Sequence, residues 1–191
     1  MSEYTKFFPV QLHTKWCSPN EVELLPHIAD WLLDPTSLTA RLKGCCKQFS
    51  VKVLGQKIEP CSKEDACEVV KVGTEVLVRE VLLFCDDKPQ VFARSLLPLS
   101  SLTGEEQVLA HLGEQPLGQV IFSKPNLVRF AIEVSELSES HSVAELAKAL
   151  SLSTNKKMWG RRSLFYLEDK PLVVAEVFLP NAFAYQELEV S

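Results

Sequence analysis

Laid with Lys88 over Lys170, the segment VREVLLFCDDKPQVFARSLLP runs without a gap over GRRSLFYLEDKPLVVAEVFLP. Arg79 then meets Arg161, Leu82 meets Leu164, and Asp87, Lys88 and Pro89 meet Asp169, Lys170 and Pro171. Beyond the turn, Val91, Ala93, Leu97 and Pro98 meet Val173, Ala175, Leu179 and Pro180. A shared DKP turn alone is ordinary turn chemistry, but identities on both sides of it read as a duplicated hairpin, which restricts the chain to architectures built from two like units. Around each turn apolar residues recur with period two, the pattern of strands with at least one buried face.

Helical spacing precedes each hairpin. From Glu21 to Leu33, Leu24, Leu25, Ile28, Trp31 and Leu32 fall along one side, and Pro26 suits a first turn, so the helix is predicted to begin near it. Ser37 or Thr36 can cap a second short helix carrying Leu38 and Leu42 up to Gly44. A strand from Phe49 to Val53, extending toward Ile58, and a polar loop from Glu59 to Gly73 then lead into the strand TEVLVREVLLF. In the second half, SSLTGEEQVLAHLG, capped by Ser101 or Thr103, and PLGQVIF, starting at Pro116, stand for the helix pair. Strands follow at Asn126 to Val134, at Arg161 to Leu167 and around Glu176. The reading is one α+β domain over residues 1–191, with pseudo-repeats at 21–98 and 101–180. Residues 136–157 interrupt the repeat and are expected to form an exposed loop with a short helix from Val143 to Leu150, capped by Ser142; its apolar Val143, Leu146, Ala147 and Leu150 need a surface on the body or on a partner, with a solvated excursion the favoured reading. The tail from Gln186 is expected to fray.

With 191 residues the chain can bury one sizeable core. A net charge of -5 without long runs of one sign gives no nucleic-acid footprint and favours a small-molecule or protein partner. No stretch approaches the roughly 18 uninterrupted apolar residues of a membrane span, and MSEYTKFFPVQ lacks the apolar centre of a signal peptide, so a cytoplasmic monomer is expected. Cys45 and Cys46 are adjacent, and Cys17, Cys61, Cys67 and Cys85 show no CxxC spacing, which favours free thiols over a metal site. His13, His27, His111 and His141 are scattered, away from any nucleophile motif.

Two charges remain to be explained. Arg79 shares a strand face with Leu77, Val81 and Leu83, and Glu176 shares one with Leu172, Val174, Phe178 and Pro180. A guanidinium stays charged, and burying it without a partner is costly, so an anion should meet Arg79. Either the two charges form a structural ion pair or they line one pocket and hold a ligand; the residues alone leave both readings open. In the gapless alignment Arg94 falls on Glu176, as if a symmetric site had diverged there into a base and an acid, which would suit an asymmetric ligand.

Five segments in order, VREVLL with Arg79, the LTGxE run within Ser101 to Glu106, QPLGxxxF from Gln115 to Phe122, WGRRSxF from Trp159 to Phe165, and AEVFLP around Glu176, resemble the chorismate lyase family. The resemblance covers most of the chain, from about Trp31 to Pro180. It implies a six-stranded antiparallel sheet made from two units of two helices and three strands, with short helices over a buried ligand site. It implies conversion of chorismate to 4-hydroxybenzoate and pyruvate, the first committed step of ubiquinone biosynthesis, with no metal or cofactor. By the same resemblance Arg79 binds the ring carboxylate together with the backbone amides of Leu38 and Leu117, and Glu176 bonds the 4-hydroxyl as a base or as an electrostatic guide. Leu38 stands where relatives often carry Met, and the 136–157 insertion is longer than the family pattern. The competing reading is a non-catalytic effector-sensing domain of the same fold, as in bacterial transcription regulators. Those place a winged helix-turn-helix ahead of the sensor, whereas only about twenty residues precede the first helix here.

Overall fold

Six strands pair antiparallel in the order β1-β2-β3-β6-β5-β4, where β1 is Phe49–Pro60, β2 Glu75–Cys85, β3 Lys88–Pro98, β4 Leu127–Leu137, β5 Met158–Leu167 and β6 Lys170–Phe178. The computed structural model describes residues 3–154 and 157–186; the predicted fraying beyond Gln186 lies outside them. Each half contributes a hairpin and an outer strand, and the two hairpins meet edge to edge at β3 and β6. Four α-helices accompany the sheet: α1 (Pro26–Leu32), α2 (Leu38–Cys45), α3 (Leu117–Ile121) and α4 (Ser142–Ala149). Pro26 opens α1 as expected, and Ser37 caps α2, its Oγ accepting from the Ala40 amide at 3.3 Å. The segment Gly104–His111, expected as an α-helix, is a 3-10 helix.

Residues directly opposite each other in an antiparallel sheet point to the same side. Arg79 faces Ser95, Ser95 faces Val174, and Val174 faces Ser163, forming one row across four strands. The next row on that side runs Val81, Ala93, Glu176, Arg161. Helices cover this face from both ends of the strands. Ile28, Trp31 and Leu32 of α1 and Leu38 and Leu42 of α2 pack on Val81, Leu83, Val91 and Phe178. At the other end, Leu109 of the 3-10 helix and Leu117 and Ile121 of α3 pack on Leu77, Leu97, Phe165 and Leu172. The two charged rows lie between the helix pairs.

The opposite face differs from expectation in two ways. The insertion is not a solvated excursion: Val143, Ala144, Leu146 and Ala147 of α4 are buried against Leu82, Phe84, Phe92 and Val177. The helix's apolar spacing finds its complement in the outward row of the central strands, as amphipathic pairing requires. Its cap is His141 rather than Ser142, with Nδ1 accepting from the Val143 amide at 3.1 Å. Arg94 also lies on this face, closed into a structural network. It donates to Glu80 at 2.6 Å and to Asp65 at 2.7 Å, while Glu80 accepts from the amides of Val10 and Gln11.

Arg94 is therefore not the counterpart of Glu176. Leu83 pairs with Val91 but Phe84 pairs with Pro89, so β3 carries an extra residue at Gln90, whereas the β5/β6 hairpin is regular. One inserted residue moves every later side chain to the other face. Arg79 pairs with Ser95 and Arg161 pairs with Glu176, so Ser95 occupies the place of Glu176 in the first hairpin.

Candidate functional site

The two equivalent arginines reach across to opposite halves. Arg161 in β5 donates from Nε to Glu176 Oε2 at 2.6 Å and from Nη1 to the carbonyls of Trp31, Leu32 and Asp34 at 3.1–3.3 Å, holding the turn between α1 and α2. Those carbonyls lie at and beyond the end of α1, where no further helical turn supplies donors. Arg79 in β2 donates from Nη2 to the carbonyls of Gly113 and Gln115 at 2.8 and 3.2 Å, holding the turn that leads into α3. Each arginine thus fastens the helix pair of the other half over the sheet.

The symmetry ends at the carboxylate. Arg161 has Glu176; Arg79 has Ser95 across from it and, among the described residues, no carboxylate within ion-pair distance. Arg79 is only 2% exposed, and burial lowers its pKa to about 10, which leaves it a cation at neutral pH. A buried cation balanced only by carbonyl dipoles is costly unless an anion completes it. The expectation of a structural pair between Arg79 and Glu176 does not hold, since the partner of Glu176 is Arg161. Both groups do lie on the covered face, two strand spacings apart, roughly 10 Å between backbones.

The reading of the chain missed two further polar groups here. Arg129 in β4 donates from Nη1 to the Asp34 carbonyl at 2.9 Å, while its Nε is buried with no hydrogen-bond partner. Its guanidinium lies 5.1 Å from the Phe165 ring centroid and 5.5 Å from that of Phe122, and burial followed by the nearby charge of Arg161 lowers its pKa. Ser163 Oγ, in the same row as Arg79, is likewise buried and unpartnered. The alternation that exposed Arg79 would have found Ser163 in WGRRSLF. At Arg129 a bulge between Arg129 and Ala131 breaks the period and hides the signal.

Leu38 and Leu117 open α2 and α3, whose first amides have no intrahelical acceptor. The two helix starts meet each other. A Cβ on Gly118 would come 3.1 Å from Oγ1 of Thr39, so the glycine permits the close approach. Outside this seam Lys43 Nζ donates to Gln119 Oε1 at 2.7 Å. Beneath it, Leu38, Thr39, Phe165, Val174 and Glu176 line a cavity of about 30 Å³. Pockets that hold a ring-sized ligand start near roughly 300 Å³, well above this volume.

Fold and site define a class: an α+β domain whose helix-covered sheet face carries more buried positive than negative charge. Solved structures sharing the fold include a GntR-family transcriptional regulator from Bacillus cereus (TM-score 0.54, 15% identity, covering 74% of this chain and 99% of that one). Another is the ligand-binding domain of a putative GntR-family transcriptional regulator from Bordetella bronchiseptica (TM-score 0.55, 18% identity, 73% and 89%). The family is narrower than the fold. The chorismate lyase family model matches residues 11–188, and the chain belongs to that family. The chain is 42% identical over 179 residues to a "Probable chorismate pyruvate-lyase" of Pseudoalteromonas translucida (strain TAC 125), covering 93% of this chain and 98% of the relative. A protein described in the same words from Shewanella frigidimarina (strain NCIMB 400) is 38% identical over 93% of this chain and 94% of its own. Among the described residues no helix is long and apolar enough to cross a membrane.

Proposed function

We propose that this protein is a chorismate lyase, converting chorismate to 4-hydroxybenzoate and pyruvate at the entry to ubiquinone biosynthesis, as a cytoplasmic monomer. The observation that carries the site assignment is the charge left open in the first hairpin: Arg79 is buried where its twin has a carboxylate and it has a serine. A ligand carboxylate completes it. Arg79 and the amides of Leu38 and Leu117 hold the ring carboxylate, and Glu176, kept in place by Arg161, accepts from the 4-hydroxyl.

The reaction breaks the C3–O ether bond and removes the C4 hydrogen, and the ring becomes aromatic. The proton passes to the enolpyruvyl methylene, either internally or through the Glu176 carboxylate, so atoms balance without water or an external oxidant. Closure of the helix pairs holds the ether in a reactive conformer and excludes water. Reopening then releases product and sets the turnover rate, an assignment that stopped-flow would overturn by finding chemistry slower than 4-hydroxybenzoate dissociation.

The direct test incubates purified protein with chorismate in EDTA and follows 4-hydroxybenzoate. Arg79→Ala removes a charge-assisted contact of about 2–5 kcal/mol and should lower kcat/KM by at least about 30-fold, and Glu176→Gln should lower it as well. Wild-type rates in both variants would refute the site. Ligand-induced stabilisation of the wild-type protein without turnover would instead mark an effector-binding domain.

A further inference from the structure

The lyase reading uses one cation and one carboxylate of a face that carries more. Arg129 and Arg161 line the covered cavity beside the single carboxylate of Glu176, and Arg79 stands on the same sheet face with its Nη2 on the carbonyls of Gly113 and Gln115, so that the face carries three guanidinium groups against one carboxylate. Neighbouring acids are spoken for. The Asp34 carboxylate pairs with Arg41 and accepts from Thr36, offering Arg129 and Arg161 only its backbone carbonyl. Glu106 pairs with Lys170. The site therefore holds an excess of two positive charges.

Arg129 is also a place where the halves differ in charge. Arg129 pairs with Phe165 as Val51 pairs with Leu83, and Leu83 and Phe165 are equivalent in the repeat. The first half fills this place with a buried valine inside its apolar cluster; the second half fills it with an arginine whose Nε has no acceptor. A guanidinium packed near two aromatic rings is oriented as well as charged. An orphaned donor in such a place calls for an explanation that packing does not give.

Resting on the lyase reading, we propose that Arg129 binds the second carboxylate of the substrate, the one on the enolpyruvyl side chain. With Arg79 on the ring carboxylate, two unpaired cations meet a dianion. The product 4-hydroxybenzoate keeps one carboxylate and loses its hold on Arg129. The site thereby distinguishes the diacid it consumes from the monoacid it makes.

The test compares two non-reacting aromatic probes of nearly equal size, 3-carboxymethoxy-4-hydroxybenzoate and 3-(2-hydroxyethoxy)-4-hydroxybenzoate, with 4-hydroxybenzoate as reference, by calorimetry. The wild-type protein should bind the diacid at least about 10-fold more tightly than its neutral-armed twin, since a hydrogen bond to a charged group contributes about 1.5–3 kcal/mol. Arg129→Met should abolish that preference while leaving 4-hydroxybenzoate affinity within about 3-fold, and should raise KM for chorismate by a similar factor. Arg129→Lys, which keeps the charge, should retain part of the preference. A wild-type protein that turns over chorismate yet shows no preference for the diacid overturns the role of Arg129 alone, even if Arg129→Met fails to fold. Equal weakening of all three ligands in Arg129→Met would reduce Arg129 to a structural part. Absence of turnover by the wild type would overturn the lyase reading itself.

Discussion

The two hairpins match in sequence and do opposite things with the equivalent arginine. In the second, Arg161 meets Glu176 across the strand pair and spends its remaining donors on the turn after α1, so its charge is closed within the protein. In the first, Arg79 makes the same reach to the turn before α3, but a serine stands where the carboxylate would be. Arg161 is closed by Glu176, whereas the shifted register of β3 sets Ser95, and no carboxylate, opposite Arg79.

That contrast can be broken from either side. Arg161→Met removes the closed pair and should cost about 3–5 kcal/mol of unfolding free energy, read by denaturant titration, because Glu176 is left mostly buried without its partner. Ser95→Glu should do the reverse in the first hairpin. A carboxylate opposite Arg79 would satisfy it internally, so chorismate turnover should fall about 30-fold or more while stability stays within about 1 kcal/mol; unchanged turnover would refute the idea that Arg79 waits for a ligand acid.

A third prediction concerns pH. Burial sets the Arg79 pKa at about 10, below the ordinary guanidinium range, so the proton is lost in the folded, unliganded protein before it is lost in the unfolded chain. Affinity for 4-hydroxybenzoate should fall as pH rises through about 10. Over the window from there up to the ordinary guanidinium range the folded state should gain stability from Arg79, since the unfolded chain binds more protons there. Calorimetric titration checks the first and denaturation at stepped pH the second. The smallest effect belongs to the seam between the halves. Gly118→Ala places a methyl 3.1 Å from Thr39 Oγ1 and should change the product-release rate only a few-fold, measured by stopped-flow, with little change in the chemical step.

Much of the fold was legible because strands and helices announce themselves by period. The hairpins, Pro26 at the head of α1 and Ser37 at that of α2 all followed from local pattern. Arg79 and Glu176 were legible as charges out of place in apolar rows. The partner of Glu176 was not, because a gapless alignment cannot see the extra residue at Gln90 that flips β3. Arg129 was hidden by the bulge beside it, and α4 was misjudged because its apolar stripe says that it must be covered, not by what.

The order of residues by itself determined the elements, their doubling and the presence of two inward charges of opposite sign, since these depend only on periodicity and on what a buried charge requires. Which charge closes on which, and which is left open for a ligand, was decided by tertiary structure. Cross-strand register is a through-space relation between hairpins, and a single bulge exchanges the partners without altering any local pattern.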